Sequence, residues 1–166
     1  MATAFRPQNL NLKEIHKMKT TSNIDVNNIE ARSEEIVERF LTALVEQDHV
    51  TISELLHPDI IYTNVSLPTF KGRKKVASLI KLGLSSTRKL QVKNHQVVAK
   101  GNVVLTERTD ILNIGPLHVG FWVCGTFKVE NGKIILWRDY FDWLNVSKGV
   151  IRGILGMGIT SLRAKF

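Results

Sequence analysis

The chain has 166 residues, 43% apolar and 23% charged, which suits one domain with a proper core and excludes a chain disordered throughout. Its single cysteine, Cys124, closes no disulfide within the chain, and there are no paired CxxC motifs and no HExxH, so a reducing, cytoplasmic setting without metal or other cofactor is expected. The net charge of +8 divides into +3 for residues 1–23, +4 for residues 147–166 and +1 for the residues between, so the body offers no basic face and nucleic acid is not an expected partner.

Residues 1–26 are polar and basic without sustained periodicity and read as a flexible arm, too poor in Arg for a targeting peptide. A first helix is expected from about Asn27, with Glu30 three places on. Its apolar face is Ile36, Val37, Phe40, Leu41, Leu44 and Val45, which recur at three and four. Thr51 to Glu54 has the form of a capping box for a short second helix that ends before His57-Pro58. Residues 59–65 (DIIYTNV) read as a strand, and residues 72–84 return to helical spacing through Val76, Leu79, Ile80 and Leu84. The basic run that opens this helix, Lys71, Arg73, Lys74 and Lys75, reads as a solvated face rather than a phosphate site.

Strands follow. LQVKNHQVVAK and NVVLTERTDIL flank Gly101-Asn102, while VGFWVCGTFKVE and KIILWRDYFDW flank Asn131-Gly132, a dipeptide suited to a type I′ hairpin turn. This order predicts an α+β domain over residues 27–146, its helices packed on one face of a curved sheet. Residues 147–166 form an apolar, basic tail in which Gly149, Gly153, Gly156 and Gly158 would weaken a helix. A lid, a dimer contact, a membrane-surface contact and plain packing or disorder all stay open for it. No run approaches the ~20 apolar residues that a membrane span needs.

Alternation on the last strand puts Ile135, Trp137, Asp139, Phe141 and Trp143 on one face, which leaves Asp139 among apolar neighbours. Arg108 and Asp110 share a face with Val104 and Leu112, and Tyr62 and Asn64 are paired two apart on the first strand. A carboxylate on an apolar face is costly unless paired or protonated, and Arg108 between Asp110 and Asp139 is the cheapest remedy. One carboxyl is then expected to keep its proton, because desolvation opposes a second negative charge. Two carboxyls in different protonation states make an acid and a base. An Arg bridging two Asp is also a plain structural ion network, and spacing does not separate the two.

The segments YTN (62–64), TERTDIL (106–112) and WRDYFD (137–142) resemble, in order and separation, the motifs of the limonene-1,2-epoxide hydrolase family, and the likeness covers roughly residues 30–145. The resemblance implies a cone-shaped, mixed but mostly antiparallel sheet of the kind named for nuclear transport factor two, and a homodimer. It also implies a reaction: ionised Asp139 takes a proton from a water held by Tyr62 and Asn64, that water opens an epoxide, and protonated Asp110 donates to the departing oxygen. Arg108 orients both carboxyls. Trp137, Phe141, Phe121, Val123, Leu67 and Phe70 are the expected walls for a small hydrophobic epoxide. Alternatives on the same fold are an isomerase or cyclase of the ketosteroid isomerase or polyketide cyclase kind, and a non-catalytic binding module. His57 reads as a turn residue, His95 and His118 lack a third ligand, Cys124 reads as core, and Ser66 has no GxSxG setting.

Overall fold

The structure, a computed structural model, describes the backbone of residues 12–166 and the side chains of residues 25–166. In chain order it contains α1 (Leu12–Glu46), α2 (His49–Leu55), β1 (Leu56–Asn64), β2 (Phe70–Lys71), α3 (Arg73–Gly83), β3 (Arg88–Lys100), β4 (Val103–Ile114), β5 (Leu117–Glu130), β6 (Lys133–Phe141), α4 (Trp143–Gly158) and a 3-10 turn, Thr160–Leu162. One curved six-stranded sheet runs β2-β1-β6-β5-β4-β3. Every neighbouring pair is antiparallel except β1 and β6, which are parallel.

The α+β layout predicted from the element order is the one observed. The core forms where α1 to α3 press on the concave face. Val37, Phe40, Ile52 and Val76 from the helices meet Val104, Phe127 and Trp137 from the sheet, and Phe40 stands edge-on to Trp137 at 5.1 Å between ring centres. At the opposite edge of the sheet α1 also seals β3. Glu34 accepts the Ala99 N–H at 2.7 Å and Glu30 accepts the Gly101 N–H at 2.8 Å, groups that an edge strand would otherwise leave unpaired.

Four expectations need correction. The first helix starts at Leu12 rather than near Asn27, because no Gly or Pro interrupts the chain from there to Glu46; the rest of the expected arm, residues 1–11, lies outside the described residues. The cap of α2 is Asp48, whose carboxylate accepts the Val50 and Thr51 N–H groups, while Thr51 itself donates to Asp48. On β6 the register against β5 slips between Lys128 and Val129, so Ile134 rather than Ile135 is fully buried, while Trp137 and Asp139 keep their inward aim. Trp143 lies beyond the strand and opens α4, with Asp142 as its cap through Leu144 N–H at 2.9 Å.

The fourth concerns the tail. Pairing with β6 covers β5 only from Val123 onward, which leaves residues 117–122 of β5 without a neighbouring strand on that side. Helix α4 fills the gap. A Cβ at Gly153 would lie 2.7 Å from the His118 carbonyl oxygen, and one at Gly149 would lie closer still to that of Gly120. Asn145 accepts the free Trp122 N–H at 2.9 Å. Gly149 and Gly153, two of the four glycines that would weaken an isolated helix, are what let this one lie directly on a strand edge.

Candidate active site

The alternation of β4 sets Thr106, Arg108 and Asp110 in a row on the concave face, and all three are buried. Arg108 Nε reaches Asp110 Oδ1 at 3.1 Å and Oδ2 at 3.2 Å, Nη2 reaches Asp139 Oδ2 on β6 at 2.7 Å, and Nη1 donates to Thr106 Oγ1 at 3.0 Å. The planar fork therefore spends its donors on two carboxyls and a hydroxyl at once. Room for it comes from β5. Gly125, the register partner of both Thr106 and Asp139, would with any Cβ come within 2.5 Å of Arg108 Nη1 and 2.6 Å of Thr106 Oγ1.

The parallel pairing of β1 with β6 brings Tyr62 beside Trp137 and Asn64 beside Asp139. The Tyr62 ring lies 4.1 Å from the Trp137 ring, and its hydroxyl donates to Asn64 Oδ1 at 3.0 Å. Asp139 Oδ1 is buried without a hydrogen-bond partner among the described residues, as is Trp137 Nε1. The Trp137 N–H favours the Asp139 anion, although the two do not meet in hydrogen-bond geometry.

These side chains form the polar floor of a cavity of about 510 Å³. Of the walls expected from the sequence, Trp137, Phe141, Phe121, Leu67 and Phe70 line it; Val123 does not. Val123 is fully buried between its register partners Arg108 and Phe141, which reach the cavity in its place. The opposite wall, overlooked at the sequence level, is supplied by Leu41 and Leu44 of α1, Leu79, Ile80 and the adjoining Leu84 of α3, and Leu90 of β3. The periodicity of the helical ones was legible but marks a packed face and a lined cavity alike. Thr106 and Gly125 were also missed; the spacing of Thr106 two before Arg108 was the available signal, and Gly125 had none without the register. His57 is the second residue of β1 rather than a turn residue, its Nδ1 accepting the Asp59 N–H, and His95 bonds Thr109 at the sheet surface.

Burial raises the pKa of Asp110 to about 6 against the pull of Arg108, with a further push from the charge of Asp139. Burial likewise raises Asp139, outweighing Arg108. The Tyr62 phenol is pushed up by burial and then by Asp139, so it stays a neutral donor. Burial pulls on Arg108 too, yet the two carboxylates hold its pKa above the ordinary value. One buried cation facing two carboxyls is neutral with one proton on the pair, which is the state low polarity favours. Such a floor can accept a proton at one carboxyl and give one from the other.

Known proteins resemble this chain over most of its length. The limonene-1,2-epoxide hydrolase catalytic domain family matches residues 31–152. The chain is 44% identical over 128 residues to "Epoxide hydrolase EphG" of Mycobacterium tuberculosis, covering 77% of this chain and 85% of that protein. A solved LEH-like epoxide hydrolase of M. tuberculosis superposes with a TM-score of 0.80 at 42% identity, over 82% of this chain and 97% of that one. A putative polyketide cyclase from Xanthomonas campestris (TM-score 0.64, 17% identity, 72% of this chain and 97% of that one) and a putative ketosteroid isomerase from Kribbella flavida (0.56, 14%, 68% and 79%) share the fold alone. The chain belongs to the limonene-1,2-epoxide hydrolase family.

Proposed function

We propose that the chain adds water to a hydrophobic epoxide in one step, giving a vicinal diol. The observation that carries this reading is the double ion pair of Arg108 with Asp110 and Asp139 on a cavity floor, where Asp139 Oδ1 meets no donor among the described residues. In the proposed reaction Tyr62 and Asn64 hold a water against Asp139, which takes its proton as the oxygen attacks one epoxide carbon. The carbon–oxygen bond breaks toward the ring oxygen, and Asp110 supplies the proton that oxygen needs. Asp139 ends protonated and Asp110 ionised, and one proton passed back through solvent resets the pair. No covalent intermediate forms and the step as drawn needs no cofactor. The assignment of Asp110 as acid and Asp139 as base follows the family resemblance; Arg108 touching both explains why a single proton is shared between them.

An isomerase working on a carbon acid needs one base and an oxyanion donor. It would leave the second carboxyl and its guanidinium tether without a task, which favours hydrolysis. The same reading includes a cytoplasmic homodimer. The outer face of the sheet suits a second copy, since exposed Leu105, Trp122 and Tyr140 lie there among charges of both signs, Glu107 and Arg138 included.

Hydrolysis of a lipophilic epoxide in oxygen-18 water tests the proposal. The label is expected in the diol, with single turnover placing it there in the first cycle. Asp139→Asn is expected to lower kcat by at least about a hundredfold. Equal rates for the two proteins, or a first-turnover diol carrying unlabelled oxygen from a carboxyl, would remove the reading.

A further inference from the structure

Helix α4 has two faces of opposite character. The glycine stripe Gly149, Gly153 and Gly156 is buried on β5 and the segment behind it. On the other side Leu144, Ile151, Ile154 and Leu155 stand 51–63% exposed, the last three adjoining one another as a ridge and Leu144 one turn beyond Lys148. Lys148 and Arg152, four apart and exposed, flank that ridge. From Trp143 to Phe166 the chain has four cations and no Asp or Glu, and among the described residues no carboxylate pairs with any of the four.

We infer that this face of α4 docks on the surface of an anionic lipid bilayer, its leucine and isoleucine ridge entering the headgroup boundary while Lys148 and Arg152 reach the lipid phosphates. The combination of an apolar face, flanking Lys and Arg, and no acidic residue is what an interfacial helix needs. The charge decides between occupants. A second copy on this face would set Lys148 and Arg152 against their own counterparts, whereas an anionic surface neutralises them. No helix among the described residues is long and apolar enough to cross a membrane, so the contact is peripheral.

The helix also begins at the cavity. The Trp143 ring is 6.0 Å from that of Phe141, and Phe141 packs at 5.7 Å on Phe121, both of which line the pocket. Docking through α4 would set this rim against the lipid, where apolar molecules concentrate. That consequence for substrate entry rests on the hydrolase reading; the docking does not.

Sedimentation of the full chain with vesicles of phosphatidylcholine alone, or of phosphatidylcholine mixed with phosphatidylserine, tests the inference without any substrate. Binding to the mixed vesicles and not the neutral ones is expected, with loss in high salt. Ile151→Glu with Leu155→Glu, and separately Lys148→Glu, are each expected to weaken binding about tenfold or more while hydrolysis of a water-soluble epoxide is unchanged. These positions are exposed, and matching circular dichroism checks that the variants are folded. No binding to the mixed vesicles, equal binding to both kinds, or binding insensitive to the ridge substitutions overturns the inference. So does a finding that the ridge substitutions dissociate a dimer in the absence of lipid binding, which would give the face to a second copy. Protein that binds vesicles but hydrolyses nothing leaves the inference standing and removes only the hydrolase reading.

Discussion

Gly125 contributes to the floor by what it lacks. Any Cβ there collides with the guanidinium and with the hydroxyl that holds it, so Gly125→Ala has to push Arg108 off one of its carboxyls. The expected result is a fall in kcat of about tenfold to a hundredfold with little change in KM, because the cavity walls are untouched. Arg108→Lys keeps the charge but cannot donate from two edges of a plane to Asp110 and Asp139 together. Its kcat is expected to fall about a hundredfold, read in the same assay, and a variant within a factor of two of the original would show that charge alone suffices. Alternation on β4 made Arg108 and Asp110 legible as neighbours before any coordinates. Gly125 was not, because its importance depends on which residues the register brings opposite it.

At the scale of elements, the hairpin between β5 and β6 was plain in Asn131-Gly132, where both residues take positive φ, +50° and +74°, as the I′ turn requires. The slip that buries Ile134 was hidden, since an extra residue in a ladder is defined by the partner strand and not by the strand that carries it. Helix α4 was misjudged for a related reason. Helix propensity penalises each glycine by about 1 kcal/mol relative to Ala, but the docked helix needs Gly149 and Gly153. Gly153→Ala is accordingly expected to destabilise the protein by about 2 kcal/mol despite its better propensity, through overpacking against the His118 carbonyl. Thermal denaturation reads the loss, and faster hydrogen exchange confined to residues 143–158 would place it. A gain in stability would mean that the helix does not rest on the strand as described.

For the molecule as a whole, the buried carboxyl pair ties stability to pH. Asp110 titrates near 6 when folded against an ordinary value of 3.8, so the folded state binds its proton more tightly than the unfolded chain does. Its contribution is complete below about pH 4 and is lost as the pH rises through about 6, on the order of 3 kcal/mol, and Asp139 works in the same direction. In urea titrations from pH 4 to 7, Asp110→Asn is expected to lose less stability than the original chain by roughly that amount. A difference independent of pH would mean that the carboxyl titrates normally.

The parallel join of β1 to β6 also dictates when the protein becomes competent. Tyr62 and Asn64 leave the ribosome well before β6, the strand beside which they lie, and before Asp139, the carboxyl paired with Asn64. Closing so long a loop is slow compared with zipping the β3 to β6 meander. A nascent chain stalled before residue 139 would hold α1 to α3 but lack the Arg108–Asp139 ion pair, so the proposed site is completed only after β6 has been made.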